Sequence, residues 1–436
     1  MIEDTRAFYA GMKAWLKETL GYDGIVIGTN WKTADSRVLD PLDFYANMAV
    51  DVTARNTYFG GPHKRGQFFP WNVGDTYADQ SLLRNPEQAL VMHMQYAGRP
   101  HFITEGGYCM PNRFRTEEQL VMAAYASLQG IDGLFPFTLE PDWNLTMQPW
   151  PIQTAATLGQ YPAAALMYRR GYVEEGPIVI DEALALDDLY QFKGGAISQP
   201  FAHDISRAGE IPADADLKTS SLNAVDPLAF LVGRVRQTIG VAPGTSTMLR
   251  TLPQYIDRSA CIVRSATGQI TLDYSNGVLI VNAPCAQGAA GFLGATGAIA
   301  LGDMRIVSMN EYGAVILVSL DGAPLATSAS MLLQVMSEEQ NFNARTEPVR
   351  VAFDDNSAPI DAKKITHLGT APLVVRNLAG TVTLTRSDAE RLRVTALDYN
   401  GYPVRQHGTA DMIELAPRVL YYWISAPDGI WRDGCE

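Results

Sequence analysis

Cysteine is scarce. Cys109, Cys261, Cys285 and Cys435 are far apart in 436 residues and none has C-x-x-C spacing, so neither a zinc site nor a disulfide framework is signalled. Free thiols are expected, with no metal and no cofactor. Long apolar runs are missing too. Nothing approaches the roughly 20 residues of a membrane span, and Met1-Ile2-Glu3-Asp4 begins too polar for a signal peptide. A soluble protein follows as the expectation, cytoplasmic by default. Positive charge is in short supply, with 34 Lys and Arg against 47 Asp and Glu, a net charge of −13. That balance counts against a nucleic acid or an anionic membrane as partner and suits a neutral ligand. The six histidines show no H-E-x-x-H spacing, which disfavours a metalloprotease, and the absence of G-x-S-x-G weakens an esterase reading. Gly288 to Gly294 is rich in glycine, but it lies among hairpin signals and lacks the Lys-Ser/Thr ending of a phosphate loop. It reads as turn chemistry.

What is present is an ordinary globular composition, 47% hydrophobic and 19% charged, in a chain long enough for two or three domains. Residues 1–170 alternate helix-like and strand-like segments in the manner of βα units. An amphipathic helix is expected from about Thr5 to Leu20, then a strand from Gly24 to Trp31, a helix from Pro41 to Met48 and a strand from Ala49 to Tyr58. Pro86 to Ala97 reads as a helix, His101 to Glu105 as a strand, Thr116 to Gln129 as a helix opened by acidic residues, Gly133 to Glu140 as a strand and Ile152 to Arg169 as a helix. After Gly171 the pattern changes to short β-prone runs with turn signals. Residues 171–255 are irregular and contain some β structure, and 256–436 suggest antiparallel, sandwich-like modules, with Asn276-Gly277 the strongest hairpin signal.

Glu105 stands where a short apolar strand runs out into Gly106-Gly107-Tyr108. In parallel barrels the C-terminal ends of the strands carry the chemistry. The other N-terminal strand ends bring Asn30 and Trp31, then Asp51, Arg55, Asn56 and Tyr58, then Tyr108, Asn112 and Arg113, while His63, Trp71, Trp143 and Trp150 lie in the loops expected on the same face. Amides and charges pair with sugar hydroxyls, and Trp and Tyr faces stack on the C–H side of a pyranose ring. A carbohydrate therefore suits this rim. Structural alternatives stand beside the functional ones: Asp51 and Arg55 also fit a barrel ion pair, and Trp15 fits packing in a helix stripe.

The order Thr29-Asn30-Trp31, Asp51-x6-Tyr58, Ile103-Thr104-Glu105-Gly106 and Leu134-Phe135-Pro136-Phe137 resembles strands five to eight of the clan A glycoside hydrolases. Those are (β/α)8-barrel enzymes, mostly retaining, that include β-galactosidases, β-glucosidases and cellulases. Gly268 to Gly294 resembles part of the C-terminal β modules of bacterial members. The resemblance implies half of a (β/α)8 barrel followed by antiparallel β-sandwich-like domains, and a retaining β-galactosidase- or β-glucosidase-like activity. It implies Glu105 as nucleophile, Tyr58 as the hydrogen-bond donor that holds it ionised and Trp143 as an aromatic wall. His63, Asn30, Trp31, Asp51, Arg55, Tyr108, Asn112 and Arg113 fall to substrate binding. The clan's acid/base is a Glu preceded by Asn at the end of strand four, and Asn310-Glu311 is the sole Asn-Glu pair here, far into the β region. A half barrel exposes two sheet edges and the inner face of a parallel sheet. Two expectations stand side by side: the chain is a fragment whose other barrel half lies elsewhere, or a homodimer or higher oligomer completes one barrel, with Glu140 acting in trans as acid/base and Asp142 as a poorer choice. The rival expectation is an inactive carbohydrate-binding or structural remnant.

Overall fold

Three runs of the N-terminal region become adjacent strands of one parallel sheet. The computed structural model describes residues 1–66, 70–140, 147–197, 209, 211, 225–354 and 357–427. Thr53–Phe59 pairs with His101–Tyr108, which pairs with Gly133–Pro136, all parallel and in chain order. Ile27 adds a single parallel bridge to Val52 on the far side. The strand expected from Gly24 to Trp31 is reduced to that bridge, and the fourth strand stops at Pro136, whose missing N–H cannot continue a ladder. The sheet is open, with no closed barrel among the described residues.

Helix Glu118–Gln129 explains where the core lies. Every residue in it except Ser127 is buried, and Gly130 closes it in the left-handed region at φ 63°. A helix buried all round must have a partner on each side. One side is the parallel sheet. The other is a ten-stranded antiparallel sheet built from the C-terminal region.

That large sheet is covered on both faces, and the alternation of its side chains shows it. On Gly313–Ser319, Ala314, Ile316 and Val318 join the core shared with the helices, while Val315 and Leu317 join a second core. On Tyr421–Ser425, Tyr421 and Trp423 belong to the first core, Tyr422 and Ile424 to the second. The second core is closed by a four-stranded sheet of Ala298–Ala300, Met304–Ser308, Gly380–Leu384 and Ile413–Glu414. Two sheets thus form a sandwich on one side of the central layer, with helices on the other.

Several expectations are corrected. Gly288 to Gly294 is not a turn for its first half: Ala286–Gly291 is a wholly buried strand of the large sheet. A Cβ on Gly288 would meet the Val315 carbonyl at 2.7 Å, so small residues here permit close approach of the neighbouring strand. Pro86 to Ala97 is no helix. It holds a short turn at Pro86–Gln88 and a strand at Gln95–Tyr96, and Leu90, Val91, Met92 and Met94 are all buried, a pattern without a polar helical face. The helix expected from Ile152 is confined to Tyr161–Arg169 after a turn at Leu158–Gln160. The first helix, Ile2–Ala14, followed by a wider turn through Thr19, has no buried residue, so its apolar stripe of Phe8, Met12 and Trp15 faces outward.

The expected segment boundaries are crossed by sheets. Ile178–Leu184 and Arg234–Ile239 are parallel neighbours, joined on one side by Gln95–Tyr96 from the first region. His63–Lys64 and Thr76–Tyr77 join Ile360–His367 and Arg345–Val351 from the last. The Asn276-Gly277 hairpin is present, with Asp273 paired to Val278 and Gly277 at φ 67°. No helix among the described residues is long and apolar enough to cross a membrane.

Candidate active site

The carboxylate of Glu105 is placed by a bulge. Arg55 pairs with Ile103 and Asn56 with Glu105, so Thr104 is an extra residue between two ladder positions. Thr104 Oγ1 donates to Asn56 Oδ1 at 2.9 Å, and the Asn56 N–H reaches back to the Asn30 carbonyl at 2.9 Å. Asn30, Asn56 and Glu105 are thereby held side by side, and the strand expected to end at Glu105 continues through Gly106 and Gly107 to Tyr108, paired with Thr57 to Phe59.

Tyr58, two residues beyond Asn56 on the same face, donates its hydroxyl to Glu105 Oε2. Burial raises the phenol far above its ordinary range, and the hydrogen bond and charge of Glu105 raise it further. The hydroxyl therefore remains a donor at any working pH. Two rings pack with that of Tyr58: Tyr58 to Trp150 at 5.6 Å, Tyr58 to Phe137 at 6.2 Å and Phe137 to Trp150 at 6.2 Å between centroids. Cys109 lies next along the exit, and burial pushes its thiol up to about 12. It stays protonated near neutral pH and does not compete with Glu105 as a nucleophile.

The structure brings together only part of the residues expected at this rim. Glu105 and Tyr58 meet, and Asn30 stands beside them through Asn56. Arg55 points to the opposite face, where it is buried over the Phe44 ring at 3.9 Å and paired with Asp40 at 3.1 Å and Asp43 at 2.8 Å. Asp51 precedes the strand instead of ending it, and pairs with Lys13 at 2.6 Å. Tyr108 is fully buried against Phe59. Asn112 is buried and bonded to Gln80 in both directions, its Nδ2 donating to the carbonyl at 2.8 Å. Arg113 pairs with Glu338 at 2.5 Å and with Glu311 at 3.5 Å, which ties the loop to the β region. His63 is exposed, with its ring against the edge of Trp71 at 5.7 Å. Trp31 is 47% exposed. Glu140 is half-buried, and its carbonyl accepts from Gln153 Nε2 at 2.6 Å. Trp143 and Asp142 lie outside the described residues.

Two features escaped the sequence. Phe137 stands inside a recognised motif yet gave no sign that it would pack on Tyr58. The run Arg115-Thr116-Glu117-Glu118 reads as a helix start, and all four residues are buried at the junction with the β region. Chemically, the site offers one anionic oxygen aligned by a phenol beside an aromatic wall, an arrangement able to attack or stabilise an electron-poor carbon. Among the described residues no group of three or more His, Cys, Asp or Glu could hold a metal ion. Comparison with protein-family models, curated proteins and solved structures finds no match for this chain.

Proposed function

We propose that this chain is a retaining β-glycosidase acting on a β-galactoside or β-glucoside, with Glu105 as nucleophile. The observation that carries the reading is the Tyr58 hydroxyl bonded to Glu105 in the C-terminal half of the middle strand of a parallel sheet. In this reading the sheet is strands five to eight of a (β/α)8 barrel. Glu105 attacks the anomeric carbon while an acid protonates the departing glycosidic oxygen, giving a covalent glycosyl-enzyme. Water, deprotonated by the same acid/base, then releases the sugar. Tyr58 keeps the attacking carboxylate oriented, and the Trp150 and Phe137 faces border the position of the sugar ring.

Retention needs a second carboxyl about 5–5.5 Å from the first. We assign it to Glu140 of the partner subunit in a homodimer that pairs two open sheets. The support is the distribution of exposed apolar groups. Phe135 and Leu139, 50% and 64% exposed, mark one edge, and Phe8, Met12 and Trp15, 62%, 39% and 48% exposed, line the first helix near the other. Phe135 and Phe102 meet at 5.7 Å on the uncovered face. An open parallel sheet with apolar flanks requires a cover. The test is hydrolysis of a panel of nitrophenyl β-glycosides by wild type, Glu105→Gln and Glu140→Gln, with light scattering on the same samples. Turnover by a species of dimer mass or larger that either substitution abolishes supports the proposal. A fully active monomer or an unaffected Glu140→Gln removes the shared barrel, and sugar binding without turnover replaces the enzyme with a binding protein.

A further inference from the structure

Arg115 sits at the junction of three segments. Its Nε donates to the Tyr108 carbonyl at 2.9 Å, and its Nη2 donates to the Pro151 carbonyl at 3.4 Å and to Thr157 Oγ1 at 3.1 Å. Tyr108 follows Glu105 on the same strand, and Pro151 follows Trp150 directly. One guanidinium therefore grips the strand that carries the carboxylate and the loop that carries its aromatic wall. The Met110 N–H bonded to the Pro149 carbonyl at 2.8 Å runs alongside it.

The charge on that guanidinium is met from the β region. Glu339, which opens the strand Glu339–Phe342, pairs through Oε1 with Arg115 Nη1 and accepts the Ala156 N–H on Oε2 at 2.8 Å. The two side chains are 3% and 4% exposed, so neither charge is met by bulk water. Glu118 accepts from Thr157 Oγ1 at 3.1 Å and from the Tyr108 N–H. Burial pushes Glu118 up to about 7, so at neutral pH it is not a full counter-charge for Arg115.

We propose that Glu339 is a positioning residue, which fixes Arg115 so that the guanidinium holds the Glu105 strand exit and the Trp150 loop in register. Its consequence for catalysis rests on the glycosidase reading. Its structural part does not. A planar fork bonded to two carbonyls on different segments sets their separation, and it does so only while a fixed anion orients the fork. Removing that anion leaves a buried cation seeking another partner, and the two segments lose their common anchor.

The test compares Glu339→Gln, Glu339→Asp and Arg115→Lys with Glu117→Gln. Glu117 is a carboxyl group buried at the same junction and pushed up to about 8 by that burial, accepting from Ser81 Oγ at 2.9 Å and the Leu82 N–H at 2.5 Å, and it touches neither grip. Two readouts are taken: amide exchange at Met110 and Ala156, and steady-state kinetics on the best nitrophenyl glycoside. The expectation is faster exchange at both amides in Glu339→Gln and Arg115→Lys, with kcat lowered about 10- to 100-fold and KM changed by less than about threefold. Glu339→Asp recovers part of both, and Glu117→Gln alters neither. Unchanged exchange in Glu339→Gln overturns the proposal whatever the turnover. Faster exchange with kcat intact overturns its catalytic consequence, and loss of kcat in Glu117→Gln to the same degree reduces Glu339 to general stability. Wild type without turnover overturns the glycosidase reading alone, because exchange still decides the anchoring.

Discussion

Replacing His93 with Leu should flatten the acid side of the stability profile. His93 Nδ1 lies 3.1 Å from His101 Nε2, and His101 Nδ1 lies 3.0 Å from Thr53 Oγ1, all beneath the start of the Glu105 strand. Burial, helped by Lys32 and Arg55, drives His93 down to about 3. Burial also lowers His101 well below its usual range. In the unfolded chain each ring protonates near pH 6.5. The contribution is therefore intact above that value and is lost as pH falls through the window down to the folded value, because the unfolded state alone takes up the proton. At about pH 5 a single such ring favours unfolding by about 2 kcal/mol relative to about pH 7. The variant loses a hydrogen bond as well, but that cost is the same at both pH values and cancels in the difference. Urea unfolding followed by near-ultraviolet circular dichroism at about pH 7 and about pH 5 measures it. The fall in stability between the two should be smaller in His93→Leu by about 2 kcal/mol. Equal falls in the two proteins would refute the buried, neutral ring.

Other expectations follow from the same geometry. Tyr58→Phe deletes the donor to Glu105, a bond to a charged group worth about 1.5–3 kcal/mol, so kcat should drop roughly 10- to 100-fold with little change in KM. Unaltered kcat would remove Tyr58 from the site. Ile316→Ala and Leu317→Ala each truncate a buried side chain on opposite faces of the large sheet. Each should cost about 2–5 kcal/mol in denaturant unfolding. A cost under about 1 kcal/mol for one of them would mean that its face is not covered.

The parallel sheet was legible where strands are short and apolar, as in His101 to Glu105 and Gly133-Leu134-Phe135-Pro136, while Gly106 and Gly107, read as a loop, continue the first of them to Tyr108. The meeting of Tyr58 with Glu105 followed from their places on adjacent strands. Asp51 misled because a strand read to begin at Ala49 begins at Thr53, which leaves Asp51 before the sheet, and Arg55 misled because the alternation of side chains puts it on the face opposite Asn56 and Tyr58. Ala286–Gly291 was hidden because small residues that permit close strand packing have the composition of a turn. The junction around Arg115 was unreadable for a different reason. Glu339 lies more than two hundred residues from Arg115, and charges met across such a gap leave no local pattern. Exposure of the Phe8, Met12 and Trp15 stripe was likewise invisible, since an apolar helix face looks the same whether it is covered or waits for a cover.

The claim that Glu105 is a nucleophile is tested most directly by trapping it. Incubation with an activated 2-deoxy-2-fluoro-β-glycoside, followed by peptide mass spectrometry, should show one glycosyl group per chain on the peptide bearing Glu105. The adduct should be absent in Glu105→Gln and should release sugar slowly in water. Turnover of the parent β-glycoside with no adduct, or with the adduct on another carboxylate, would contradict the account.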